Sequence, residues 1–200
     1  MSAGVRQGTQ GYSAEAPALL IEYERRRFEE SHAEIFDLIP PAPVRVLDIG
    51  AGTGRDAAWF AARGDLVTAI EPTREMREGG MALHRAPNIT WIDDGLPELS
   101  RVLGCAFELV WLSAVWMHFD KIERAGAFPS VAALVAPGGA MMLSLRHGPV
   151  PDGRRMFEVE ADETVALAAH AGLTLLRNIN TASARQAGVR WTRLWFMRPA

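Results

Sequence analysis

The sequence predicts an α/β protein: an open, twisted, Rossmann-like sheet of about seven strands, mostly parallel, with helices on both faces. Three observations predict it. From residue 44 onward, short apolar runs of strand length alternate with stretches of helix length. The first run, Val44–Ile49, feeds a turn with glycine at every second position, Gly50-Ala51-Gly52-Thr53-Gly54, and then a helix. A chain of 200 residues, 48% hydrophobic and 22% charged, fits one domain with a sizeable core.

The elements follow in order. The first 16 residues are small, polar and Gly-rich, so they are expected to be a mobile segment or a flap that orders on binding. Ala18 to Ile39 reads as one amphipathic helix, with Leu20, Tyr23, Phe28, Ile35, Phe36 and Ile39 among its apolar positions. Its Glu24-Arg25-Arg26-Arg27 run reads as a solvated face, and Pro40, Pro41 and Pro43 end it. Residues 1–40 are therefore an N-terminal flap and helix, and residues 41–200 the main domain. Val44–Ile49 is apolar, as a strand buried on both faces must be. Gly54–Arg63 is then a helix, Leu66–Glu71 a strand, Arg74–His84 a helix and Asn88–Asp93 a strand. A short helical or irregular piece leads to a strand at Phe107–Ser113, a helix at Lys121–Val135 and a strand at Gly139–Arg146. The chain closes with a helix at Asp162–Ala171 and strands at Leu173–Asn178 and Val189–Met197. Asp152–Arg155 lies in the longest late connection, at the strand carboxyl edge where ligands of such sheets bind.

Charge and composition narrow the classes. Twenty-one basic against 24 acidic residues leave a net charge of −3, which argues against a general nucleic-acid binder. Lys121 is the only lysine. Cys105 is the only cysteine, so no internal disulfide forms, and a reducing, cytoplasmic location is expected. The N-terminus shows no apolar signal core and no glycine at position 2. Ala125 to Leu145 is uncharged over a length that could cross a bilayer, but Pro129, Pro137, Gly138 and Gly139 interrupt it. It reads as helix, turn and buried strand, and no membrane association is expected.

The chemistry concentrates at Val46-Leu-Asp48-Ile-Gly50-Ala51-Gly52-Thr-Gly54. Glycines allow a tight turn and close ligand approach, and amides at the helix start can donate hydrogen bonds. Glu71 ends the second strand, where a carboxylate can accept from both hydroxyls of a ribose. The dinucleotide fingerprint G-x-G-x-x-G has its third glycine one residue later than this turn, so a nicotinamide dehydrogenase fits poorly.

Asp48-x-Gly50-x-Gly52-x-Gly54 followed by Glu71 resembles the cofactor site of class I S-adenosylmethionine-dependent methyltransferases. The resemblance runs from about Val44 to Pro199. It implies that the last strand is antiparallel and inserted beside the fifth. It implies S-adenosyl-L-methionine as cofactor and S-adenosyl-L-homocysteine as product. The turn, with Ala51, would face the methionine and ribose part, and Glu71 and the adjoining Pro72 the ribose. Asp93 or Asp94 would meet the adenine, the other serving as a turn cap. Phe107–Ser113 matches the family's fourth strand, bringing Ser113 to the cofactor. Val115-Trp116-Met117-His118 falls where the family places residues between cofactor and substrate. The family's Asn-Pro-Pro-Tyr and Lys-Asp-Lys-Glu signatures for nucleic-acid substrates have no counterpart.

His118 and His147 are the histidines near expected strand carboxyl ends; each reads either as a base for a substrate nucleophile or as a hydrogen-bonded bystander. His118 is the first choice for a catalytic base. Trp116 and Met117 are expected to wall the acceptor site with Arg146 and His147, while Trp59 and Trp111 belong to the core. Arg146, Arg154 and Arg155 read as a clamp for a carboxylate or phosphate, or as a solvated loop. Tyr12 reads as part of the flap or of a disordered tail. Asp56 suits the positive helix end and Arg55 follows the turn; either could instead meet the cofactor's methionine end. Neither His118 nor His147 has metal-ligand spacing with another His, Asp or Glu, so no metal is expected. The chain has little beyond the family core, which favours a small-molecule acceptor and no nucleic-acid partner. The alternatives are a methyltransferase acting on protein or RNA, and a non-catalytic module that binds the cofactor. The sequence leaves the oligomeric state open.

Overall fold

The computed structural model describes residues 6–200. Residues 1–5, which include the first part of the expected flap, lie outside the described residues. The chain builds α1 (Tyr12–Glu24), α2 (Phe28–Ser31), a 3-10 segment (Ala33–Leu38), β1 (Arg45–Ile49), α3 (Arg55–Ala62) and β2 (Leu66–Ile70). Next come α4 (Arg74–Leu83), β3 (Ile89–Ile92), β4 (Phe107–Leu112), a 3-10 turn (Trp116–His118), α5 (Lys121–Ala133) and β5 (Val135–His147). The chain ends in α6 (Ala161–His170), β6 (Thr174–Ala182) and β7 (Arg190–Met197).

The strand order is β3-β2-β1-β4-β5-β7-β6. β7 runs antiparallel to both β5 and β6, and all other pairs are parallel. The last strand is therefore antiparallel and inserted beside the fifth. The order reverses between β1 and β4, so a crevice opens at their carboxyl ends, the usual ligand position of such sheets. Asp48 sits there, level with Ala69 of β2 and Trp111 of β4.

Strand side chains alternate between two buried layers, because successive residues point to opposite faces. On one face Leu47, Ile49, Val110, Leu112, Met141 and Leu143 pack with Phe128 and Val131 of α5 and Ala168 of α6. On the other, Val46, Ala69, Leu109, Trp111, Met142 and Trp195 pack with Ala57 and Phe60 of α3, Phe28 and Ile35. Both faces being covered explains why the strands read as continuous apolar runs. α5 starts on a capping box: Asp120 accepts from the Ile122 and Glu123 amides, and the Asp120 amide donates to Glu123. The uncharged stretch from Ala125 divides between α5 and β5, and no helix among the described residues is long and apolar enough to cross a membrane.

The N-terminal region departs from the sequence expectation. The single helix over 18–39 is instead α1, α2 and a 3-10 segment. The break at Arg25–Arg27 lets Phe28 turn inward, where it stacks on Trp59 at 3.9 Å. α1 also begins six residues early and carries Pro17 near its start. Its apolar side, Ala16 and Leu19, closes on Met76 of α4. The charged run is not a plain solvated face either: Thr53 donates to Glu24, His84 pairs with it at 3.2 Å, and Arg26 borders the cavity described below. β5 starts at Val135 rather than Gly139, with its register shifted between Phe107 and Leu109 of β4. β6 extends to Ala182, past its expected end.

Candidate active site

A cavity of about 690 Å³ lies over the carboxyl ends of β1, β2, β4 and β5, with α1 along one wall. It brings together the glycine turn, Asp48, Glu71, Pro72, Ser113, Met117 and His118.

The turn is held by backbone bonds. Gly50 and Ala51 amides donate to the Ile70 carbonyl at 2.8 and 2.9 Å, and the Gly54 amide to Ala51 at 2.9 Å. Gly50, Gly52 and Gly54 all have positive φ. Their surroundings differ. A Cβ on Gly50 would come within 2.5 Å of Val115, and one on Gly54 within 2.5 Å of Trp91. At Gly52 the nearest atoms, from Met76 and Tyr23, stand 3.9 and 4.0 Å away. Gly50 and Gly54 are packed into the protein, whereas Gly52 keeps open space beside it.

Glu71 faces this turn. One carboxylate oxygen accepts from the Gly52 amide at 2.8 Å and the other from Thr73 at 2.7 Å. Each oxygen keeps a further lone pair. Burial pushes the Glu71 carboxyl up, against the lowering effect of those amides. Asp48 is 2% exposed, and its Oδ2 is buried without a hydrogen-bond partner among the described residues. Burial, reinforced by the charges of Asp56 and Glu71, holds its carboxyl well above the usual carboxylate range. A buried acceptor without a donor, on the wall of a cavity, calls for a donor or cation from a ligand.

Asp56 is the opposite case. Its Oδ2 accepts from His32 at 2.9 Å and from the Trp111 indole at 3.0 Å, and its Oδ1 takes the Arg55 guanidinium at 2.6 Å. These partners overcome the burial that would raise its pKa and hold the carboxyl far below the usual range. The structural reading of Asp56 is the one the contacts support: it ties the start of α3 to β4 and to His32.

His118 is 4% exposed. Its Nδ1 lies 2.8 Å from the Arg155 carbonyl and its Nε2 lies 3.0 Å from the Tyr12 hydroxyl. A carbonyl only accepts, so Nδ1 carries the proton and Nε2 accepts from Tyr12. Burial, with the charges of Arg154, Arg155 and Arg146, lowers the His118 pKa against the raising effect of the Arg155 carbonyl. His118 is thus a neutral imidazole with its basic nitrogen turned to Tyr12. Burial raises the Tyr12 hydroxyl, which stays protonated. The Arg154 guanidinium stacks 3.9 Å over the Tyr12 ring and pairs with Glu15 at 2.7 Å. Gly8 packs against His118 and Phe119, where a Cβ would come within 3.2 Å of both. The segment before α1 therefore lies against the His118 end of the cavity.

Several expected site residues fall elsewhere. Trp116 does not border the cavity; it is fully buried and meets Phe128 edge-on at 5.6 Å, because the 3-10 turn points it into the core. His147 lies outside too, 2.8 Å from Thr192 across the β5–β7 pair. Neither aspartate after β3 lines the cavity. Asp94 is spent on the Gly95 and Arg101 amides at 2.8 and 2.7 Å, while exposed Asp93 pairs with Arg77 at 3.1 Å. Gly95 and Leu96 occupy the cavity wall instead. Of the arginine trio, Arg155 is turned away to Glu123 and the His118 carbonyl, leaving Arg146 and Arg154 on the wall. Sequence reasoning missed His32 and Arg26, both on the wall. His32 follows Phe28 by one helical turn, a spacing that puts both on one side; nothing local marks Arg26.

Residues 46–139 match the family model described as a methyltransferase domain. That segment runs from β1 into β5 and holds the glycine turn, Asp48 and Glu71. The chain is 34% identical over 130 residues to uncharacterized methyltransferases of Mycobacterium tuberculosis and Mycobacterium bovis, a match covering 60% of this chain. The match spans 47% of those relatives, so the chain aligns with about half their length. Among solved structures the domain is similar to the magnesium protoporphyrin IX methyltransferase of Synechocystis with bound SAM. That match has 15% identity and a TM-score of 0.74, covering 99% of this chain and 100% of that one. It is also similar to the 1,6-didemethyltoxoflavin-N1-methyltransferase of Burkholderia thailandensis, with that substrate and S-adenosylhomocysteine bound. Here identity is 18% and the TM-score 0.67, covering 100% and 94% of the two chains. At such identities the likeness is one of fold, and the methyltransferase fold is the one the glycine turn and strand order describe.

Proposed function

We propose that this protein transfers a methyl group from S-adenosylmethionine to a small-molecule acceptor, with His118 taking the acceptor's proton. The observation that carries the reading is one cavity holding both halves of the chemistry. At one place are the glycine turn, Glu71 and the unpartnered Asp48 oxygen; at another is the basic nitrogen of a neutral histidine. The bound cofactor supplies an electrophilic methyl on a sulfonium, whose departure needs little help from the protein. The residues present fit it. Asp48 and the open side of Gly52 receive the methionine end, and Arg26 is the counter-charge for its carboxylate. Arg26 makes no ion pair among the described residues and is half-buried beside Arg55 and Arg185. The Glu71 lone pairs take the ribose hydroxyls. Pro72, Gly95 and Leu96, rather than Asp93 or Asp94, flank the adenine.

The chain's own work is alignment and exclusion of water. α1 and the segment before it cover the His118 end, and Arg154 clamps α1 to the loop after β5 through Glu15 and Tyr12. An acceptor O–H or N–H takes the place of the Tyr12 hydroxyl at Nε2 and loses its proton there. Support for a small acceptor comes from the size of the cavity, about 690 Å³, and from the neighbour with 1,6-didemethyltoxoflavin bound. Release of S-adenosylhomocysteine, measured with the small-molecule, RNA and protein fractions of a cell extract, tests the reading. Turnover with the small-molecule fraction, lost in His118→Gln, is expected; turnover only with RNA or protein contradicts it.

A further inference from the structure

We infer that the acceptor carries a carboxylate and that Arg146 binds it. This deepens the proposed transfer reaction and rests on it.

Arg146 stands near the end of β5 on the cavity wall, half-buried. Its one hydrogen bond among the described residues runs from Nη1 to the Pro149 carbonyl at 2.8 Å. A guanidinium has five donors in a planar fork, so most of its capacity is unspent. It has no carboxylate partner among the described residues. Its neighbours do: Arg154 pairs with Glu15 at 2.7 Å, and Arg155 with Glu123 at 2.9 Å. Arg193, on the same wall, reaches Glu34 at 3.6 Å and donates to Thr181 and the Ser31 carbonyl. Arg146 is therefore the uncompensated positive charge at this end of the cavity.

Its place fixes what it can hold. Its charge reaches both His118 and Tyr12, the pair that handles the proton. Arg146 lines the same cavity as that pair, so an anion held there shares it with the accepting atom. The cofactor's own carboxylate is accounted for at the glycine turn, where Arg26 stands free. Three guanidiniums on the wall have no acid partner among the described residues: Arg26, the exposed Arg185 beside it, and Arg146, which stands apart from that pair among matched arginines and is left for an anion of the acceptor. Since the surrounding arginines are already matched by acids, the residual charge suits a monoanion, and the planar fork suits a carboxylate. A partly buried guanidinium is costly to leave unpaired, so its persistence beside a base points to a ligand.

The test is calorimetric. Protein is first titrated with S-adenosylhomocysteine, and the saturated complex is then titrated with benzoate, benzamide and inorganic phosphate. Benzoate is expected to bind about 10- to 100-fold more tightly than benzamide, the range of a charged hydrogen-bonded contact. Arg146→Gln should remove that preference and Arg146→Lys retain part of it, while both keep wild-type affinity for S-adenosylhomocysteine. That unchanged affinity also shows that the variants fold. The inference is overturned if benzamide binds as well as benzoate, if neither binds the complex, or if phosphate is preferred. It is also overturned if Arg146→Gln weakens S-adenosylhomocysteine, which would place Arg146 on the cofactor. Failure of the wild type to bind S-adenosylhomocysteine is a different result, which removes the cofactor reading itself and this inference with it.

Discussion

Two glycines of one turn are expected to fail in different ways. At Gly52, φ is +58° and an added Cβ meets nothing closer than 3.9 Å. Alanine there pays only the left-handed backbone term, about 1 kcal/mol, which lowers the melting temperature by roughly 2–4 °C for a chain of this size. At Gly50, φ is +73° and the Cβ would lie 2.5 Å from Val115 Cγ2. Strain and overpacking together come to about 2–4 kcal/mol, or roughly 5–15 °C. Ligand binding should reverse the emphasis. The new methyl in Gly52→Ala stands in the open space through which a ligand reaches the backbone, so S-adenosylhomocysteine affinity should fall by roughly tenfold or more. Thermal melts and calorimetry on the two variants decide the matter. Gly52→Ala binding within about twofold of wild type would refute the claim that this turn receives the cofactor. Gly52→Ala melting as low as Gly50→Ala would refute the packing argument.

Three further predictions concern protons. His118→Gln should lower kcat/KM by about 10²–10⁴. Because the His118 pKa is lowered, the wild-type rate should rise with pH through an ionisation below about 6.5 and be flat above it; the same limb surviving in the variant would contradict the assignment. Asp56→Asn should destabilise the protein by about 3–5 kcal/mol in urea melts, since an amide would turn a donor toward His32, Trp111 or Arg55. The Asp56 pKa is lowered in the folded state. Its stabilisation is therefore present above the unfolded value of about 3.9 and lost as pH falls through the folded one, so the gap between wild type and variant should close in acid. Asp48 holds its proton above the usual range, and a cationic ligand should displace it. Calorimetric enthalpies of S-adenosylmethionine binding, followed from acid toward neutral pH, should then vary with buffer ionisation enthalpy over the range where Asp48 is protonated in wild type, and not in Asp48→Asn.

Much of the sheet was legible because both faces are covered, which makes strands apolar throughout and leaves glycine and proline to punctuate them. Asp48, Gly52 and Glu71 were legible for a similar reason: they belong to one strand–turn–helix unit and the next strand. What was not legible depends on partners far along the chain. The break at Arg25–Arg27 contains no glycine or proline; it exists because Phe28 is drawn onto Trp59 and Trp111. Trp116 and Met117 are adjacent, yet the 3-10 turn sends one to the core and the other to the cavity. Asp93 and Asp94 sit where a carboxylate could meet a ligand, but Arg77 claims one and two backbone amides the other. Tyr12 and His118 are 106 residues apart, and only the folding of α1 over the sheet edge brings them together.

The most direct test is titration of the purified protein with S-adenosylmethionine, S-adenosylhomocysteine and NADH, on wild type and Asp48→Ala. Binding of both adenosyl ligands by wild type, their loss in Asp48→Ala, and no binding of NADH are the predicted results. Failure of wild type to bind either adenosyl ligand, or NADH binding as tightly as they do, would contradict the account.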